Sequence, residues 1–249
     1  MSNHGPGIDI IGIDCATEPR DIGLACGNYS NSHLVVTQAR KIAKNETVAD
    51  VICRWIRKGI PCLLAIDAPL GWPAELGEEL SRHTAGARVV TDPNMMFRRE
   101  TDRRVKQITG KTALDVGADR IARSAHAALE LLEALRKKTG KNIPLAWDNH
   151  LKDNISAIEV YPAATLKMTG LISTGYKKPE NTKERKDIIF GLEQYLRLDV
   201  DKTILENDDD ILDATVCLLA GADFLNGKAV RPDNMGTAIK EGWIWVKGQ

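Results

Sequence analysis

Three β-forming runs follow one another near the start of the chain, and their connections are too short to hold a helix. "IDIIGIDCA" (residues 8–16), "DIGLACGNYS" (residues 21–30) and "SHLVVTQARK" (residues 32–41) are rich in apolar residues, with Asn28, Ser30, Asn31 and Ser32 supplying turn chemistry between the last two. Strands joined this closely are expected to return antiparallel, because a parallel pair needs a crossover of about a dozen residues or more. "ETVADVICRWIRKG" (residues 46–59) then places Val48, Val51, Ile52, Trp55 and Ile56 on one helical face, with Gly59 as a natural stop. "PCLLAIDAP" (residues 61–69) reads as a buried strand. The expected opening is three strands, a helix and a strand.

From residue 70 to residue 149 the pattern changes character. Little of it looks like strand, and the long "GADRIARSAHAALELLEALRKKTGK" is helical, so these residues read as a helical insertion within one domain covering residues 1–249. "NISAIEVYPAAT" (residues 154–165) restores a strand and passes through Tyr161 and Pro162 into a short helix. A basic polar loop around "GYKKPENTKERKD" leads to a helix over residues 183–196, and an aspartate-led helix occupies residues 209–225. The terminal "EGWIWV" reads as a strand or hairpin edge.

Acidic residues fall where this scaffold should carry aliphatic ones. Asp14 lies between Ile13 and Cys15 in the first strand, and Asp67 lies between Ile66 and Ala68 at the end of the fourth. A carboxylate buried on a central strand is costly unless it is paired or bound to a metal. Glu159 repeats the theme between Ile158 and Val160, although for this residue pairing with backbone amides or an arginine is the favoured reading. In "ENDDDILDATVCLLAGADFL", Asp208 and Asp209 suit a helix cap and first turn. Asp210 and Asp213 are three residues apart and share a helix face, where like charges need a cation, an arginine or solvent between them. Hard oxygen ligands suit Mg²⁺ or Mn²⁺, and carboxylates held on rigid elements suit metal-assisted phosphoryl transfer.

Charge and motif content narrow the classes. Lysine plus arginine equals aspartate plus glutamate, 34 against 34, so no global charge draws the chain to nucleic acid or an anionic membrane. No apolar run approaches membrane-spanning length and the first residues lack the pattern of a signal peptide, so a cytoplasmic, soluble protein is expected. The five cysteines are an odd number without C-x-x-C spacing, which reads as reduced core residues. The histidines (His4, His33, His83, His126 and His150) have no H-x-x-x-H spacing, and no G-x-S-x-G, G-x-G-x-x-G or Walker loop occurs.

The strand and helix order, with an aspartate in the first strand, an acid ending the fourth and an aspartate pair on the last long helix, resembles the ribonuclease H-like fold. The D-x-x-D spacing of Asp210 and Asp213 is similar to that of the Holliday-junction resolvases of that superfamily. More closely, "GIDCA" (residues 12–16), "IDAPLGWP" (residues 66–73), "RRETD" (residues 98–102), "EVYPAAT" (residues 159–165), "DDDILDATVCLLAG" (residues 208–221) and "EGWIWV" (residues 241–246) resemble the family catalogued as domain of unknown function 429, described as predicted nucleases of ribonuclease H fold. The resemblance covers nearly the whole chain, and "IDAPLGWP" is its most specific motif. It implies an α/β domain with a mixed sheet, an antiparallel meander plus parallel strands, flanked by helices. It implies Asp14, Asp67 and Asp210 or Asp213 as ligands of Mg²⁺ or Mn²⁺, with Glu159 as a further acid of the catalytic cluster.

The same resemblance singles out Arg99 and Asp102. Arginine binds phosphate bidentately, so Arg98 and Arg99 are candidates to hold a substrate phosphate, with Lys183 and Arg185 as a second, weaker group. The expected activity is hydrolysis of a phosphodiester in a nucleic acid or nucleotide, with water activated by the carboxylate cluster and, on the superfamily pattern, a 5′-phosphate and a 3′-hydroxyl as products. The neutral charge balance and scarce aromatic residues favour a small or structured substrate over long duplex DNA. Two rivals stand beside it. An actin-like ATP-dependent phosphotransferase shares a related fold, but Ala16 stands where its phosphate turn wants glycine and no second lobe is present. A catalytically idle module of the same fold would hold its acids with arginines instead of a metal.

Overall fold

The computed structural model describes residues 7–117, 119–151 and 154–248; His4 lies outside them. The meander forms from β1 (Ile8–Asp14), β2 (Gly23–Ser30) and β3 (His33–Arg40), paired antiparallel in sequence. Asn31 and Ser32 turn β2 into β3 with φ of 50° and 62°, the left-handed pair whose twist matches that of the flanking strands. Thr47 caps α1 (Val48–Trp55) by accepting from the Asp50 amide, and the helix buries Val48, Val51, Ile52 and Trp55. The crossover returns the chain as β4 (Cys62–Asp67), parallel to β1.

Four helices follow before the next strand: α2 (Ala74–Leu80), α3 (Pro93–Phe97), α4 (Glu100–Thr109) and α5 (Asp119–Thr139). Next comes β5 (Ile155–Glu159), parallel to β4, then α6 (Pro162–Met168), α7 (Thr182–Leu192) and a two-residue β6 (Arg197–Leu198) parallel to β3. The described chain closes with α8 (Lys202–Asn207), α9 (Asp209–Leu225) and α10 (Met235–Glu241). The sheet order is β5-β4-β1-β2-β3-β6. This mixed α/β sheet flanked by helices is consistent with a ribonuclease H-like arrangement.

Alternation along β1 sorts the core into two layers. Ile11 and Ile13 join α1 and α5 on one face, whereas Ile10 joins the cluster built on α6, α7 and α9 on the other. On the second face α9 lies across β1, β2, β3 and β4. Two glycines permit that approach: a Cβ on Gly12 would stand 2.0 Å from the Ala214 carbonyl oxygen, and one on Gly23 would stand 2.0 Å from that of Asp210. The first turns of α9 therefore rest directly on the ends of β1 and β2. Among the described residues no helix is long and apolar enough to cross a membrane.

Two expectations differ from the fold. "EGWIWV" is not a strand: within it Ile244 makes an isolated bridge to Glu159, and Lys247 just after it makes another to Ala229. Its apolar character comes from packing: Trp243 and Trp245 are buried, and Trp245 meets Phe224 edge to face at 4.7 Å. The helix expected over residues 183–196 ends at Leu192. Buried Leu192, Leu196 and Leu198 continue the apolar pattern through a turn and into β6, and periodicity alone cannot separate those states.

If Gly12 is required for the seating of α9, Gly12→Ala lowers unfolding free energy by about 1–3 kcal/mol in chemical denaturation, the usual cost of overpacking. A Cβ added at Gly77 in α2 would meet nothing within 4 Å. Gly77→Ala is accordingly expected to stabilise by about 0.5–1 kcal/mol.

Candidate metal centre

Register places the first two carboxylates. Asp14 and Asp67 are direct neighbours in the parallel β1–β4 pair, so their side chains leave the same face at the carboxyl ends of the strands. That is the face on which α9 lies. Asp208 caps α9 by accepting from the Asp210 and Ile211 amides, and the second turn delivers Asp213, fully buried, onto the two strand ends. One carboxylate oxygen from each of Asp14, Asp67 and Asp213 lies within 4.8 Å of the others.

Two residues of the loop after α6 complete the cluster. The Tyr176 hydroxyl donates to Asp213 Oδ1 at 2.7 Å. The Lys177 ammonium lies against Asp213 Oδ2, an oxygen that is otherwise buried without a hydrogen-bond donor. Arg185 fixes this loop: from α7 its buried guanidinium donates to the carbonyls of Tyr176 at 2.6 Å, Lys178 at 2.9 Å and Pro179 at 3.2 Å, and to that of Glu206 at 2.6 Å. The basic loop is visible in the sequence, but nothing there distinguishes Lys177 from its neighbours.

The electrostatics follow from three acids facing one ammonium. Burial, then the charges of Asp213 and Asp67, push Asp14 well above the usual carboxylate range against the opposing pull of Lys177. Burial pushes Asp67 up to about 7, with Lys177 opposing and Asp213 adding to the rise. Asp213 is also raised by burial, though Lys177 and the Tyr176 hydroxyl work against it. Burial disfavours the charge on Lys177, yet Asp213, Asp14 and Asp67 outweigh it and hold the ammonium above its ordinary range. The shifts favour protonated carboxyls, and a divalent cation would supply the positive charge that favours their ionised forms. Asp213 Oδ2, buried with only the Lys177 ammonium against it, and the all-oxygen donor set fit a divalent metal.

The remaining sequence candidates stand outside the three-carboxylate group, although Glu159, Arg99 and Asp102 share a cavity wall with it. Asp210, one turn before Asp213, reaches the mouth of the cluster but is paired with Lys41 at 2.6 Å, which also holds Asp208 at 3.0 Å. Glu159 is registered with Ile66, not Asp67, so alternation turns it to the opposite face. There it accepts from Arg99 at 2.6 and 2.8 Å and from the Leu70 amide at 3.0 Å. Arg99 is 1% exposed, and its five N–H donors go to Asp102, Glu159 and the Glu241 carbonyl. Neither Arg99 nor buried Asp102 has a group left for a substrate phosphate. Arg185 is likewise occupied by main-chain carbonyls, and Lys183 is an exposed residue of α7. Arg98 is paired with Asp115 at 2.8 Å on the wall of a cavity that reaches Asp14.

Two cavities of 850 and 540 Å³ meet at the cluster and share Asp14, Lys177, Arg120 and Ser124 as walls. Arg120 and Ser124 lie four residues apart at the start of α5, where their helical pattern carries no mark of a site. Cys15, beside Asp14, is no nucleophile: burial and the neighbouring acids push its thiol up to about 12. All five cysteines are free.

Fold and site together define an α/β protein that gathers carboxylates at the ends of adjacent parallel strands and beside the first turns of a crossing helix. A family described as "Protein of unknown function (DUF429)" matches residues 7–236, and the chain belongs to that family. No curated protein and no solved structure gives a match.

Three outcomes test these assignments. A carboxyl raised in the folded state contributes stability that is fully present below its unfolded value near 4 and lost as pH rises through about 7. Thermal denaturation of the metal-free protein between pH 4 and 8, roughly that window, should therefore show a falling stability that Asp67→Asn flattens. Arg99→Met leaves Glu159 and Asp102 buried without their counter-charge and is expected to cost about 3–5 kcal/mol in denaturant titration. Arg98→Met, at a part-exposed pair, should cost about 1 kcal/mol or less.

Proposed function

We propose that the protein is a divalent-metal-dependent phosphodiester hydrolase, acting on a nucleic acid or nucleotide. The observation that carries this reading is the contrast between two ways in which its buried and half-buried acids are held. Asp9 is paired with Arg57 and Asn28, and Glu159 and Asp102 with Arg99. The Asp14, Asp67 and Asp213 group has instead a single lysine whose side chain is 52% exposed. An idle module would be expected to hold that group with arginine, as Asp9, Asp102 and Glu159 are held.

Asp14, Asp67 and Asp213 would hold Mg²⁺ or Mn²⁺, which supplies Lewis acidity toward a phosphoryl oxygen and makes water a stronger nucleophile near neutral pH. Tyr176 keeps Asp213 oriented through Oδ1. The cavities would give the phosphate a place beside the carboxylates; Arg98, Arg99, Arg120 and Lys177 are the cationic groups on their walls, and Arg99 has its donors already engaged. Glu18, Asp21, Asp115, Asp119 and Asp210 line the larger cavity too. That acidic excess supports a compact phosphate ester or short strand over a long polyanion, which loses affinity as its backbone passes like charge.

Calorimetry with Mn²⁺, carried to millimolar metal and repeated with a nucleoside monophosphate, is the direct test. Wild type is expected to bind and Asp14→Asn to lose binding by about 100-fold while remaining folded by circular dichroism. Release of a 5′-phosphorylated product from short single-stranded oligonucleotides should depend on Mn²⁺ and vanish in the same variant. Equal metal binding by both proteins would overturn the assignment.

A further inference from the structure

The Lys177 ammonium and a divalent cation compete for one oxygen. Asp213 Oδ2 is fully buried and has no neutral donor; its contact is Lys177, and Asp213 lies with Asp14 and Asp67 in one group. Because Oδ1 already accepts from Tyr176, Oδ2 is the Asp213 oxygen left to a cation held by the three carboxylates, and two positive centres at one carboxylate oxygen would repel each other strongly. The backbone around Lys177 cannot retreat easily, because Arg185 holds the Tyr176 and Lys178 carbonyls on either side of it. The side chain can: it is 52% exposed and lies on the walls of both cavities. A lysine is a compact charge on a flexible stem, suited to such a change of partner and to binding phosphate.

We propose that Lys177 is a tethered counter-ion that occupies the cation site in the metal-free protein and, when a divalent metal enters, swings into the adjoining cavity to bind the substrate's phosphate. This rests on the metal-site reading above and adds to it a residue that couples metal loading to substrate affinity. In the metal-free state Lys177 keeps Asp14, Asp67 and Asp213 together. After its ammonium leaves, Asp213 retains the Tyr176 hydroxyl on Oδ1, so the carboxylate stays oriented. Arg185 is then a positioning residue for the loop and touches neither metal nor substrate.

The test uses the wild-type protein first. Amine acetylation with acetic anhydride, quantified at each lysine by mass spectrometry, is compared without metal, with Mn²⁺ and with Mn²⁺ plus inorganic phosphate. Lys177 labelling is expected to rise about tenfold with Mn²⁺, as a strong preference between two states requires, while its neighbour Lys178 stays unchanged. Inorganic phosphate should reverse the rise. In calorimetry Lys177→Met, relieved of its internal competitor, should bind Mn²⁺ about tenfold more tightly, yet the Mn²⁺-loaded variant should bind inorganic phosphate more weakly than wild type.

Mn²⁺ binding to wild type with unchanged Lys177 labelling would overturn the counter-ion role and leave the metal site standing. A rise that phosphate does not reverse would overturn the substrate-binding half. Absence of Mn²⁺ binding in wild type would remove the metal site and this proposal with it.

Discussion

Repulsion among three like charges is the constraint around which the carboxyl end of the sheet is organised. Asp14 and Asp67 are forced together by strand pairing, since a one-residue slip would turn either to the other face. Asp213 is added by a helix that can lie this close because Gly12 and Gly23 present no side chain to it. Burial disfavours each of the three charges, so the group holds protons, takes a cation, or does both. The Tyr176 hydroxyl and Lys177 ammonium supply what the metal-free protein has, and the buried Arg185 keeps both in place through main-chain carbonyls.

A second acidic centre nearby shows the opposite solution. Arg99, almost fully buried on the wall of the smaller cavity, spends every donor on Asp102, Glu159 and the Glu241 carbonyl. The Glu241 carboxylate in turn accepts from the Ala74 and Glu100 amides, at the first residues of α2 and α4. These bonds tie helices from between β4 and β5 to the end of β5 and to the end of α10. The network is fully satisfied, as a buried ionic group must be to avoid a large desolvation cost. The two acidic groups thus use the same residue types and differ in whether a matching guanidinium is present.

Legibility in the sequence followed the range of the interactions concerned. The meander, α1 and β4 were readable because turn residues and apolar periodicity are local. Asp14 and Asp67 stood out for the same reason, each an acid inside an aliphatic run. Asp210 and Asp213 could not be ranked, because their spacing gives both the same helix face; Lys41, from beyond β3, occupies the first and leaves the second to the cluster. Arg99 and Asp102 read as a surface that could grip phosphate, and only Glu159, far along the chain, reveals a closed network. Lys177, Arg120 and Ser124 had no local mark at all.

By itself, then, the sequence determined the order and kind of the principal elements, the antiparallel start and the presence of acids that a core could not hold unpaired, because these follow from backbone preferences and side-chain solvation within a few residues. The tertiary structure decided which acids meet, which are neutralised by arginine or lysine and where the cavities open. Those outcomes depend on strand register, on the seating of α9 over two glycines and on charges brought from distant loops, and electrostatic pairing acts through space regardless of separation along the chain.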